Sequence, residues 1–132
     1  MTTLIPAGYN TVTPYYFVDR ASEFIDFLVR GLGGKELSRQ SANGRIAHAE
    51  VRLGTSTVMV SDARSDYPAM RAAYYLYVAD ANAAMTTAIA AGAEQVMSVQ
   101  DMSYGDRQGG IRDKHGNLWW ISQRLVDGPY ST

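Results

Sequence analysis

The sequence predicts an α+β fold in which a β-α-β-β-β unit occurs twice. Two stretches, residues 19–32 and 80–91, have the apolar periodicity of amphipathic helices and end at glycine. Each follows a run rich in β-branched and aromatic residues, and each is followed by three alternating segments separated by glycine-containing turns. The order of elements is therefore the same in both halves of the chain.

The elements can be assigned in order along the chain. Asp19 and Asp80 are the N-cap candidates of the two helices, and glycine follows each helix as a stop signal. The predicted strands are 11–18, 34–40, 45–53 and 55–62 in the first half, and 72–78, 93–102, 107–113 and 117–123 in the second.

Three landmarks support an internal repeat, because each recurs after 61 residues. The recurring pairs are Asp19 with Asp80, Gly44 with Gly105, and Met59 with Trp120. We therefore expect one domain of two modules, the first at about 8–62 and the second at about 72–124, joined by a linker at about 63–71. A half of about 60 residues buries little core alone, so the two sheets are expected to join or to pair with another chain.

Composition excludes several classes of protein. The net charge is −1 and no basic run occurs, so nucleic-acid binding has no support. The absence of cysteine removes disulfides and thiolate sites. No apolar run reaches the 18 or so residues of a membrane span, and the first ten residues lack signal-peptide features. The expectation is a soluble, cytoplasmic protein.

Three strings carry a resemblance to a known family: TPYYFVDRASEFIDFLVRGLGGKE, HAEVRLGTSTVMVSD and YGDRQGGIRDKHGNLWWIS. In their order and spacing they resemble the vicinal oxygen chelate superfamily of glyoxalases, bleomycin-resistance proteins and extradiol dioxygenases, and within it the PhnB-like branch. The resemblance implies two βαβββ modules that form an open, curved, eight-stranded mixed sheet around a cavity, commonly in a homodimer.

The resemblance also implies where metal ligands would lie, at the positions of Val12, Met59, Ala73 and Trp120. None of these side chains is a usable ligand for the divalent cations that His and Glu bind. We therefore expect no metal and no cofactor. His48 and Glu50 share a strand face, and three roles stay open for them: a solvent-facing or paired position, a polar role in a pocket, or metal ligation.

Strand alternation predicts an aromatic pocket with a few hydroxyl groups. The residues predicted to face it are Pro14, Tyr16, Thr57, Met59, Ser61, Tyr75, Tyr77, Leu118, Trp120 and Ser122. Tyr67 lies in the linker, which is either a plain connection or a lid over the pocket. The alternative for each ring is that it fills a core between sheet and helix.

The charged residues at 105–117 are predicted to form two turns. Asp106 and Arg107 are expected to brace the first, although Arg107 is also able to face the cavity or a dimer neighbour; His115 lies in the second.

The function favoured is metal-independent binding of a small planar organic ligand. The alternatives are a metal-dependent lyase, isomerase or dioxygenase that uses His48 and Glu50, and an interaction module whose cavity is filled by its own side chains.

Overall fold

The computed structural model of the protein describes residues 1–130, and the chain divides into two units, Met1–Met70 and Arg71–Thr132. We call these module one and module two. Module one contains β1 (Tyr15–Val18), α1 (Ala21–Arg30), β2 (Lys35–Ala42), β3 (Arg45–Leu53) and β4 (Ser56–Asp62). Module two contains β5 (Ala73–Tyr77), α2 (Ala81–Ala90), β6 (Glu94–Asp101), β7 (Asp106–Arg112) and β8 (Leu118–Arg124). No helix in residues 1–130 has the length and apolar character needed to cross a bilayer.

The two modules have the same topology, which confirms the predicted α+β class and the βαβββ order. The strand order is β1-β4-β3-β2 in module one and β5-β8-β7-β6 in module two. The pairs β1·β4 and β5·β8 are parallel, and the remaining pairs are antiparallel. Within the described residues, hydrogen bonding joins the eight strands into two open, mixed sheets of four.

In each module one helix covers one face of the sheet and forms the core. Phe24 and Leu28 of α1 are fully buried and pack on the face of β3 and β4 that carries Val51 and Val60. The corresponding core residues of module two are Ala81, Met85, Ala88, Ile111, Trp119 and Ile121. The opposite face of each sheet is called its open face below.

The first helix begins differently from the prediction. It starts at Ala21, and its N-cap is Arg20 in the left-handed region at φ 55°, without a side-chain cap. The Asp62 carboxylate accepts the N–H of Ala21 at 2.9 Å instead. Asp19 is therefore not the N-cap, whereas Asp80 caps α2 as predicted and accepts the N–H of Ala83 at 3.0 Å.

This difference changes the internal repeat by one residue. Arg20 corresponds to Asp80, a spacing of 60. The strand registers agree, because Tyr15 lies beside Met59 while Tyr75 lies beside Trp120. Since Met59 and Trp120 are 61 apart, the repeat lengthens by one residue before the last strand.

Val12 was consequently assigned to the wrong position. It lies outside β1 and is 80% exposed. The residue that corresponds to Ala73 at a spacing of 60 is Thr13. Because a shift of one residue moves each strand side chain to the other face of the sheet, the residues of the first strand that face the pocket differ from those predicted.

Candidate functional site

Strand β1 presents Tyr15 and Phe17 to the open face of module one. Tyr16 was predicted to face the pocket, but it is 4% exposed and packs on Phe24 of α1, with ring centroids 4.9 Å apart. Its register partner is Val60, which is also buried on the helix side. The prediction for Tyr16 was wrong because the repeat spacing in the first strand is 60 residues and not 61. The prediction for Pro14 depends on the same spacing and fails with it.

Three aromatic rings of module one form a continuous stack. The Tyr15 and Phe17 rings lie 4.7 Å apart with planes 20° from parallel. Phe17 stacks in turn on Tyr67, at 5.4 Å and 17°. We call these three residues the aromatic stack; its geometry is the offset arrangement that aromatic side chains prefer.

Backbone hydrogen bonds hold the predicted linker against β1. Ala63 N–H donates to the carbonyl of Val18 at 2.9 Å, and Met70 N–H donates to that of Phe17 at 3.0 Å. Between them, Arg64 and Tyr67 exchange two backbone hydrogen bonds, at 2.9 and 3.1 Å. The segment is therefore an ordered turn that places the Tyr67 ring on Phe17.

The aromatic stack lines a cavity of about 560 Å³. Two arginines also line it: Arg45 donates to the carbonyl of Ala63, and Arg64 pairs with Asp66 at 2.8 Å. The remaining lining residues are Ala42, Asn43, Ile46, Ala47, Ser61 and Asp62. An apolar wall with a few polar groups is typical of a small-molecule site.

His48 and Glu50 form a side-chain pair on the open face of module one, 3.0 Å from Nε2 to Oε2. The other ring nitrogen, Nδ1, lies 3.2 Å from the Tyr15 hydroxyl. The second oxygen of Glu50 accepts the hydroxyl of Tyr9. Glu50 and Tyr15 thus engage both ring nitrogens of His48, and of the three roles left open for His48 and Glu50 the contacts match the paired one.

A second cavity of module one lies under the segment that precedes β1. It measures about 430 Å³, and residues of that segment line it together with Glu50 and Met59. The Thr57 hydroxyl fixes this segment by donating to the carbonyl of Gly8 at 2.7 Å. Residues 3–13 thus cover part of the open face.

The open face of module two is built around a buried carboxylate. Asp106 is fully buried and accepts hydrogen bonds from the Tyr75 hydroxyl, from the Tyr130 hydroxyl at 2.7 Å and from the Arg124 guanidinium at 3.0 Å. Burial alone raises the pKa of Asp106, but the hydrogen bonds from these three groups outweigh burial and hold the pKa below its ordinary value. The expected brace between Asp106 and Arg107 is not made; Arg107 pairs with Asp101 at 2.7 Å.

The other residues predicted for module two share this open face. Tyr75 and Tyr77 lie with ring centroids 5.2 Å apart, and Ser122 is fully buried beside Tyr77 in the adjacent strand. Burial, with the nearby Asp106 carboxylate, raises the pKa of Tyr75 to about 12. Trp120 lies over Gly110, where an added Cβ would be 2.5 Å from the indole ring.

Comparison with known protein families identifies the superfamily to which the chain belongs. The family model described as the Glyoxalase/Bleomycin resistance protein/Dioxygenase superfamily matches residues 8–121. The chain belongs to this superfamily. Its two βαβββ modules are the arrangement that the resemblance implied.

Proteins with similar sequence or structure come from several bacteria. An uncharacterized protein of Mycobacterium bovis is 32% identical over 127 residues, covering 85% of this chain and 82% of its own. TioX from Micromonospora sp. ML1 is 28% identical with a TM-score of 0.73, over 91% of this chain and 100% of TioX. TnmS3, an antibiotic binding protein from Streptomyces sp. CB03234, shares the fold at 16% identity and a TM-score of 0.71, over 94% of this chain and 99% of TnmS3.

The four positions at which the superfamily holds a metal do not fit one in this chain. After the register correction they are Thr13, Met59, Ala73 and Trp120, which together supply neither imidazole nor carboxylate. In the part of the chain that the structure describes, no group of three or more His, Cys, Asp or Glu side chains is placed to hold a metal ion.

Sequence reasoning missed Tyr15, Phe17 and Tyr130. A signal for the first two was present, since aligning Ala21 with Ala81 at the start of each helix gives the correct spacing of 60. No local sequence pattern indicates that Tyr130 hydrogen-bonds to Asp106. The two residues are 24 positions apart, and Asp106 is in a strand whereas Tyr130 lies outside regular secondary structure.

Proposed function

We propose that this protein binds a small planar organic ligand in the cavity beside the aromatic stack, without a metal ion. The observation that carries the proposal is the position of Phe17, stacked between Tyr15 and Tyr67 along a cavity of about 560 Å³. Such a cavity falls within the range of about 300–1,000 Å³ typical of small-molecule sites. A flat ring system extends the stack, whereas a saturated ring system does not.

The charge around the cavity suits a ligand with a polar or anionic substituent. Arg45 and Arg64 line the cavity beside a single carboxylate, that of Asp62. That carboxylate is occupied by the backbone N–H groups of Ala21 and Ile46, at 2.9 and 2.7 Å. Arg64 is paired with Asp66, so among the cavity-lining groups the Arg45 guanidinium is the charge left to face a ligand. An aromatic carboxylate is therefore a suitable first probe.

Similar proteins support a role in binding organic molecules. TnmS3, which has the same fold, is described as an antibiotic binding protein. That likeness in fold does not identify a ligand, because one fold carries many functions. Placement in the PhnB-like branch and assembly as a homodimer are further proposals that rest on the sequence resemblance alone; light scattering coupled to gel filtration tests the homodimer.

The test compares 2-naphthoate with decahydro-2-naphthoate, which has the same skeleton without planarity. Isothermal titration with EDTA present is expected to show binding of the planar probe and at least about tenfold weaker binding of the saturated one. Tyr67→Ala is expected to weaken 2-naphthoate binding by about two- to tenfold, since ring stacking contributes about 0.5–1.5 kcal/mol.

Tyr104→Ala is the matched control, because Tyr104 is an exposed tyrosine of module two and lies outside this cavity. It is expected to leave the affinity for 2-naphthoate unchanged. Equal affinity for the planar and saturated probes, or no effect of both Tyr67→Ala and Phe17→Leu, would overturn the proposal.

A further inference from the structure

Module two contains a carboxylate that has to be neutralised by its surroundings. Asp106 is fully buried, and a buried charge is tolerated only when donors satisfy it. Two of its three donors belong to the sheet: Tyr75 in β5 and Arg124 in β8. The third, Tyr130, belongs to the segment that follows β8 and has no regular secondary structure.

Three groups of module two contact the phenol of Tyr130. Its hydroxyl donates to Asp106 at 2.7 Å, so the hydroxyl of Tyr77, 2.6 Å away, is the donor to the Tyr130 oxygen. The Arg124 guanidinium lies over the ring, 4.1 Å from its centroid, in a cation–π contact. An acceptor, a donor and a cation over the ring together describe a binding site for a phenol.

The backbone of the segment that carries Tyr130 has few contacts with the sheet. Arg124 donates to the carbonyls of Gly128 and Pro129 at 3.3 and 3.1 Å, and Leu125 N–H donates to Gly105 at 2.9 Å. Tyr130 itself remains 40% exposed. Segments with little burial open at low free-energy cost, so this residue can leave while the sheet stays folded.

We propose that this position is a second ligand site, specific for a neutral phenol that replaces Tyr130. Such a ligand restores the third donor to Asp106 and the ring beneath Arg124. An aromatic carboxylate is excluded because it meets the charge of Asp106. An aromatic hydrocarbon leaves Asp106 without its third donor and the Tyr77 hydroxyl without its acceptor. The site is in a different module from the aromatic stack and does not depend on the function proposed for it.

Removing the internal occupant gives the direct test. Tyr130→Ala is expected to bind p-cresol, the analogue of the missing side chain, at least about tenfold more tightly than toluene, because hydrogen bonds to charged groups are worth about 1.5–3 kcal/mol. The unmodified protein is expected to bind p-cresol about tenfold more weakly than Tyr130→Ala, because its own phenol competes. Benzoate is expected not to bind.

Nuclear magnetic resonance locates the probe. The amide signals of Asp106 and Arg124 are expected to shift on adding p-cresol, while those of Tyr15 and Phe17 in module one stay in place. Tyr77→Phe, made in the Tyr130→Ala background, is expected to weaken p-cresol binding severalfold without the folding risk of changing Asp106. Arg107→Ala, which removes an ion pair with Asp101 in module two, is the control and is expected to leave the affinity for p-cresol unchanged.

The proposal is wrong if Tyr130→Ala binds p-cresol no better than toluene, or if the shifted signals lie in module one. It is also wrong if Tyr130→Ala remains folded and binds neither probe. A failure of 2-naphthoate to bind beside the aromatic stack would leave these outcomes unaffected, so the two proposals are separable.

Discussion

The carboxylate of Asp62, at the end of β4, accepts the N–H of Ala21 at the start of α1 over 2.9 Å. Module two repeats the contact with a different group, because the side-chain carbonyl of Gln123 accepts the N–H of Ala81 at 3.0 Å. The last strand of each module thus supplies a hydrogen-bond acceptor to the first turn of its helix. A strand residue that caps a helix joins the two layers of the module.

Replacing Asp62 with alanine is expected to lower the free energy of unfolding by about 2 kcal/mol. The variant loses a helix N-terminal acceptor, worth about 0.5–2 kcal/mol, and also the hydrogen bond from Ile46 N–H at 2.7 Å. Urea unfolding measures the change. Asp66→Ala removes an exposed ion pair with Arg64 and is expected to change stability by less than about 0.5 kcal/mol; equal effects of the two substitutions contradict the prediction.

The adjacent tryptophans are expected to respond differently to phenylalanine. Trp119 is 2% exposed and its indole N–H donates to the Asp113 carboxylate at 2.8 Å. Trp119→Phe leaves that buried acceptor short of a donor and removes core volume, so we expect a loss of about 2–4 kcal/mol. Trp120→Phe, on the open face, is expected to cost less than half as much in the same urea titration.

Gly110 is expected to be essential for the position of Trp120. A Cβ atom at residue 110 would lie 2.5 Å from the indole ring and 3.1 Å from Val96, so Gly110→Ala displaces the ring and is expected to cost about 1–3 kcal/mol. A double-mutant cycle with Trp120→Leu checks the cause. The cost of Gly110→Ala is expected to fall by at least half in the Trp120→Leu background, and an unchanged cost argues against the contact.

Tyr75 is expected to ionise late in an alkaline titration. Burial and the Asp106 carboxylate raise its pKa from 10.0 to about 12, so the folded state favours the neutral phenol. Because the folded pKa lies above the ordinary value, this stabilisation is present below pH 10 and is lost as the pH rises toward 12. Tyrosinate absorbance measures the titration, and Tyr75→Phe is expected to remove a late-titrating group; loss of an early one contradicts the assignment.

Divalent metal ions are expected to leave the thermal stability unchanged. His48 and Glu50 are already engaged by Tyr15 and Tyr9, and the positions of Met59 and Trp120 offer no imidazole or carboxylate. Thermal melts with zinc, nickel and manganese, followed by elemental analysis, test this. One tightly held ion per chain, lost in both His48→Ala and Glu50→Ala, would favour the metal-dependent enzyme instead.

The elements of the fold were predictable because their periodicity is strong. Strand β3 has the predicted limits, Arg45–Leu53, and α2 begins after Asp80 as expected. The start of α1 was not predictable from cap preference, since Arg20 has no capping side chain and the acceptor comes from Asp62, far along the chain. N-cap preferences describe residues next to the helix in sequence, whereas the contact of Asp62 with the start of α1 is a tertiary one.

The wrong predictions for Val12 and Tyr16 have a single physical origin. Two residues lie between the partners Leu53 and Ser56 at the β3–β4 turn, and three lie between the equivalent partners Asp113 and Asn117 at the β7–β8 turn. The repeat spacing is therefore 60 before this turn and 61 after it. A single spacing of 61 was correct for Met59 and Trp120 and wrong for Val12 and Tyr16. In a strand, that one residue separates a core side chain from a pocket side chain.

The segments that cover the open faces lie outside the repeated units. Residues 3–13 line one cavity of module one, and Tyr130 occupies the position beside Asp106 in module two. The helices and sheets make their own cores, and these covering segments add part of the wall to the recesses that they border. New binding preferences can therefore be engineered, or acquired by descent, through a few peripheral residues while the β-sheets keep their sequence.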